Sequence, residues 1–390
     1  MTKTKVFFST ALLLIWTLPA FGLDTEPIAQ LRGQAVSQSV PLSPAQVQIV
    51  EKFWRSAIDA LLLSQDSEEQ AGLINQLVQE KGGENLSFYA SSYIDTGKKH
   101  LQAAFDAIQH WDLADRRLAM ERKLMVLIAR LQNIGLAPFA LDRLKNPDAV
   151  VRYWAVKSLA DPEMIKQISS DLVDADLKSK ISKAMAESAE NETNLAVLRV
   201  AVDFALAIND VACRDLLLKL AEKRTRAYMD WSVTDEWFDT HLLNGIGQTI
   251  VSGQPSDDRV KLSRAFAQLY SCVIQRSLKG QEILPASSKN ALITVIAEVE
   301  YTTIAKLIPG WQMNLKRALE RNTGLDREAE TLLGAASRPG DLSLRLNFNY
   351  GKDAEGKAIM CPATLLAAPS PVQPVAPAPV RPVAEGSVNK

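Results

Sequence analysis

Residues 146–162 read NPDAVVRYWAVKSLADP. Whether they form one helix among many or one unit of a stack decides how the rest of the chain is read. Val151, Ala155 and Leu159 fall at i, i+4 and i+8, which puts all three on one face of a helix. Asp148 stands where a side-chain oxygen can cap the first turn, and the small Ala155 lets a neighbouring helix come close. Arg152 is placed to reach carboxylates in its own or the next layer. Asn146-Pro147 reads as a turn, and Asp161-Pro162-Glu163 as the start of another helix. Trp154 is the bulky residue on which this packing has to be tested.

The same grammar runs outward in both directions. Ser43-Pro44-Ala45-Gln46 is a capping box with Pro at the first helical position. Val47, Val50, Trp54, Ala57, Ile58 and Leu61 then recur at helical spacing. Further stripes follow at 73–78, 101–108 and 124–131, and Ser256-Asp257-Asp258 opens another helix. No strand–helix–strand alternation precedes residue 340, so an all-α body of about thirteen helices joined by short turns is expected. From Asp341 the pattern changes: Leu342, Leu344, Leu346, Phe348 and Tyr350 alternate with polar residues, which predicts a strand, a turn at GKDAEGK and a returning strand to about 366. Residues 367–390 are rich in Pro and Ala and are expected to be an extended, disordered tail.

A weaker copy of the 146–162 pattern lies one unit on. Leu198 to Leu206 aligns with Val151 to Leu159 at a spacing of 47 residues, with Arg199 on Arg152. Asp148, Val151, Arg152, Ala155 and Leu159, followed by this echo, resemble the HEAT-type helical repeat over about residues 137–210. Trp154 departs from that pattern, which prefers a small residue there, and Val202 departs where Ala is usual. The resemblance implies an α-solenoid, a superhelix of helical hairpins that bury their apolar faces only by stacking. It also implies a surface for binding other proteins. The expected organisation is a leader at 1–22, a linker at 23–42, helical hairpins at 43–136, repeats at 137–230, a helical region at 231–338, a small β-hairpin at 341–366 and the tail at 367–390.

Lys3 and Lys5, the apolar run Val6–Leu18 and the small residues of Ala20-Phe21-Gly22 predict a cleavable export signal cut near Gly22–Leu23, hence a periplasmic or secreted protein. No later stretch is long and apolar enough for a span, so none is expected in the mature chain. The whole chain carries 44 basic and 45 acidic residues. Such balance gives no nucleic acid any purchase, leaving protein partners and cell-wall or envelope components. Three cysteines make no disulfide framework; Cys213 and Cys272 are either a bridged pair or two buried thiols.

Chemistry-bearing residues concentrate in Asp230–Leu243. Trp231, Asp235, Glu236, Trp237, Asp239 and His241 can be read as a sugar site, with indoles stacking on rings and two carboxylates serving as acid and base. They can equally be read as a helix start, with Thr234 as cap, acids in the first turn and both indoles as anchors. Three histidines without HExxH or CxxC spacing predict no metal site, and no motif calls for a cofactor or names a catalytic residue. Glu187-Ser188 lacks the companion motif of a lytic enzyme. The expectation is a non-catalytic, exported scaffold for protein–protein contacts in an envelope or secretion assembly. The alternative is a helical-toroid or superhelical carbohydrate-active enzyme, or binder, built on residues 230–241.

Overall fold

The computed structural model describes residues 23–35, 40–82 and 88–366. The expected leader and the Pro-rich tail lie outside the described residues. Two compact units divide between Ala140 and Leu141.

In the first unit, α1 (Glu26–Ala35) occupies part of the segment expected as a linker. Ile28, Leu31 and Ala35 are buried, and the helix packs on its neighbours through them, so a short apolar stripe suffices once there is a surface to receive it. α2 (Pro44–Leu63) begins with the expected capping box: Ser43 Oγ accepts from the Gln46 amide and Gln46 Oε1 from the Ser43 amide. It packs against α3 (Ser67–Glu80) and α4 (Phe88–Gln109), and α5 (Ala114–Leu131) closes on both. Trp54 is fully buried against Gly97, where a Cβ would stand 2.5 Å from the indole, so that glycine is a matter of space. A 3₁₀ turn at Ile134–Leu136 leads into α6 (Ala137–Arg143).

The second unit opens with α7 (Ala149–Leu159), capped by Asp148, whose Oδ1 accepts from the Val151 amide at 3.0 Å. Val151, Ala155 and Leu159 are buried together, as their spacing predicts. α8 (Pro162–Ser169), α9 (Ala175–Asn191), α10 (Leu195–Ile208), α11 (Val211–Met229), α12 (Trp237–Ser252), α13 (Asp257–Lys279) and α14 (Ala286–Val299) follow. Neighbours in space run α9–α11–α13 in one layer and α7–α10–α12–α14 in the other. Successive helices pack across the layers, so α9/α10, α11/α12 and α13/α14 are stacked hairpins. A boundary at 230/231, expected from sequence, falls inside this stack, because α11, α12 and α13 pack on one another.

α14 runs into a π-helical turn at Glu300–Ile304 and α15 (Ala305–Leu307), then α16 (Asn314–Arg321) and α17 (Leu325–Leu333). Glu300 is fully buried, and its carboxylate accepts from the amides of Leu315 and Lys316 at 2.8 and 2.7 Å and from the Trp311 indole at 2.7 Å. It thus serves as the cap of α16 from a remote helix.

The small β-hairpin near the C-terminus is present, but not where alternation placed it. β1 (Gly334–Ala335) pairs antiparallel with β2 (Arg338–Pro339), whereas Asp341–Leu346 is α18. Leu342 and Ser343 are buried and Leu344 is 64% exposed, so the leucines do not share a face. Ser343 Oγ donates to the Gly340 carbonyl at 2.8 Å, a local bond that holds the first turn. The expected reversal survives further on: Asp353 N donates to Lys357 O, Lys352 and Ala358 form a β-bridge, and Tyr350 N donates to Ile359 O. The residues beyond it form a ladderless extended segment on α13.

Candidate functional site

The 230–241 cluster sits where α11 turns into α12 over α13. Asp239, in the first turn of α12, is fully buried and takes a two-pronged contact from Arg224 of α11: Nε to Oδ1 at 2.7 Å and Nη2 to Oδ2 at 2.8 Å. The Tyr228 hydroxyl donates to Oδ2 at 2.6 Å. Burial pushes the Asp239 carboxyl up, against the pull of Arg224 and Tyr228. Arg224 also donates to the carbonyls of Thr234 and Asp235, fastening the connection itself. Glu236 is buried 3.6 Å from Arg276 of α13, whose guanidinium lies over the Tyr228 and Trp231 rings at 5.8 and 5.2 Å.

The cluster is therefore brought together only in part. Glu236 and Asp239 face inward to arginines, while Asp235 is exposed and takes a positive φ of 52°. Trp231 is half-buried at φ 54°, its indole N–H donating to the Leu366 carbonyl at 3.3 Å. Trp237 is 48% exposed and does not serve as a core anchor. His241 Nε2 lies 3.0 Å from Asp203 on α10. Thr234 is exposed and not the cap; α12 starts at Trp237, behind Glu236. The arginines that define this network stand 15 and 40 residues from their acids, which is why neither was found from the local sequence. Glu187 is exposed near Lys145, and Ser188 Oγ donates to the Leu144 carbonyl, so that pair is packing.

Arg152 does reach the next layer. Its Nε and Nη2 donate to both oxygens of buried Glu192 at 2.6 and 2.9 Å, and Nη1 donates to the carbonyls of Asn146 and Pro147. Burial alone would raise the Glu192 carboxyl, but bonds from Arg152 and from the Asn194 and Thr193 amides outweigh it and hold it below the ordinary range. Arg199 does not repeat this arrangement. It is exposed, and it stands five residues past its cap Asn194, whereas Arg152 stands four past Asp148. The structural echo is Arg214, four residues past the cap Asp210: Nη1 donates to the Asn209 carbonyl at 2.7 Å and Nε to Asp258 of α13 at 3.4 Å. DAVVR at 148–152 and DVACR at 210–214 carry the signal, 62 residues apart. Trp154 is half-buried, edge-on to Tyr153 with ring centres 5.5 Å apart. Cys213 and Cys272 are free buried thiols and not a bridge, pushed up to about 12 and about 11 by burial.

Sequence reasoning missed two features of α13. Its first feature is a stripe of side chains that hold an extended backbone. Gln268 Oε1 accepts from Ala363 N at 2.8 Å, and its Nε2 donates to Ala363 O at 3.3 Å. Gln275 repeats this with Leu365 N at 2.8 Å and Ala363 O at 3.0 Å, and Lys279 donates to Leu365 O at 2.7 Å. Positions 268, 275 and 279 share one helix face, and each bond they make to residues 363–365 goes to main chain. The second is a cleft of about 460 Å³ between α11 and α13, lined by Arg226, Lys261, Arg264 and Glu222 together with Leu218 and Tyr350. Arg264 is pinned there by Nε to the Asn349 carbonyl at 2.6 Å.

No protein-family model matches the chain, and no curated protein gives a significant match. Among the described residues no group of three or more His, Cys, Asp or Glu could hold a metal ion, and no helix is long and apolar enough to cross a membrane.

Proposed function

We propose that this chain is an exported, non-catalytic helical-repeat scaffold that binds other proteins, working in an envelope or secretion assembly. The observation that carries the reading is the α13 stripe. Gln268, Gln275 and Lys279 hold the chain's own residues 363–365 through backbone groups, so this face of α13 seats an extended segment whatever its side chains, a mode of contact that serves equally for a segment of another protein. Stacked hairpins supply the rigid surface such recognition needs. The sequence before Leu23 supports export, and the matched numbers of acids and bases support a protein partner over nucleic acid.

The carbohydrate-active alternative needs a free acid and base beside an indole. Glu236 and Asp239 are instead paired with Arg276 and Arg224, and Trp237 points outward without them, so no observation favours it. Chemical crosslinking of the native envelope fraction, followed by affinity capture of the full chain, tests the scaffold reading. It predicts defined crosslinked adducts with other envelope proteins; recovery of the free monomer alone would count against it.

A further inference from the structure

The cleft between α11 and α13 has a charge pattern that the scaffold reading does not require. Three cations border it, Arg226, Lys261 and Arg264, against a single carboxylate, Glu222. Lys261 has its nearest acid, Asp258, only at 3.9 Å, and Arg264 uses only Nε, on the Asn349 carbonyl, leaving its terminal N–H groups. That anchoring matters, because an arginine fixed at Nε presents a pre-set fork that fits a carboxylate in two-pronged fashion. A volume of about 460 Å³ accommodates side chains rather than a single ion.

Gln268 ties the cleft to the stripe. It borders the cleft and also grips Ala363 by both its donor and its acceptor. Those glutamines are occupied by the chain's own residues 363–365, so a partner segment lies in the cleft beside that stretch, with its side chains presented to the cations. The chain's own sequence past Leu366 is a poor source for such side chains, since Glu385 is its only acid against Arg381 and Lys390. We infer that this cleft is a binding site for an acidic peptide segment of another protein, with Arg264 and Arg226 taking carboxylates and Lys261 supplying further positive charge. The inference rests on the scaffold reading and names the chemistry of its partner.

The test is fluorescence anisotropy of the full mature chain with a labelled, end-capped decapeptide carrying four glutamates, beside its all-glutamine counterpart. The glutamate peptide is expected to bind at least about tenfold more tightly, with affinity falling as salt rises. Lys261→Gln with Arg226→Gln, both exposed positions, is expected to weaken it by about tenfold at an unchanged melting temperature. Glu222→Gln should act in the opposite sense, tightening it roughly threefold. Equal binding of the two peptides, or variants without effect, would overturn the inference. Inorganic phosphate displacing the peptide at concentrations equal to the peptide's own Kd would also overturn it, in favour of a small-anion site. None of these failures would alter the crosslinked adducts expected from the envelope fraction, so the two readings fail separately.

Discussion

At the scale of single residues, the second unit is held by arginines that bond backward to a turn and forward to an acid. Arg152 is the fullest case, because Glu192 is buried and takes both of its prongs. Removing the guanidinium leaves a buried carboxylate with only two amides, so Arg152→Ala should cost about 3 kcal/mol in denaturant unfolding, while Arg199→Ala should stay within about 0.5 kcal/mol. Equal losses would mean that the sequence alignment, and not the capped register, sets which arginines are equivalent. The Glu192 carboxyl is held below its ordinary value, so its contribution is fully present above the ordinary carboxylate range and lost as pH falls below that range and through the depressed native value. Glu192→Gln should therefore flatten the acid limb of a melting-temperature profile that slopes in the unsubstituted chain. The thiols give an independent check. Burial raises Cys213 and Cys272, so brief alkylation of the native protein, read by peptide mass spectrometry, should mark Cys361 and spare the other two until denaturant is added.

At the scale of elements, caps and stripes carried most of the message. Ser43 with Gln46, Asp148, Asp161 and Ser256 are each found at the helix starts their sequences predict, because a cap is a bond between residues two or three apart. What a short window misses is long-range. Glu300 caps α16 across 15 residues, a bond that no local window contains. The segment from Asp341 shows the same limit from the other side: its period of two is real, yet a strand needs a partner, and Leu342 finds the core as part of α18 instead. The two readings separate by mutation. On a strand Leu342 and Leu344 would share a face; in α18, Leu342→Asp should destabilise by about 3 kcal/mol and Leu344→Asp by less than about 0.5 kcal/mol. Matching losses would restore the strand.

At the scale of the molecule, each unit is a separate compact body, and the functional account belongs to the second. Its stacked hairpins follow from an even run of amphipathic helices, which was legible, whereas the partners of the 230–241 acids were not. Asp239 and Glu236 look like free chemistry until Arg224 and Arg276 are folded over them from α11 and α13. The α13 stripe was equally hidden, since Gln268, Gln275 and Lys279 are ordinary polar residues until a backbone 86 to 95 residues away lies across them. That stripe is the centre of the account, and amide hydrogen exchange of the full chain tests it most directly. The Ala363 and Leu365 amides should exchange at least about tenfold more slowly than an unstructured peptide, and a Gln268→Ala, Gln275→Ala chain should lose that protection while the amides of α11 keep theirs. Exchange of Ala363 and Leu365 at the unstructured rate in the unsubstituted chain would contradict it.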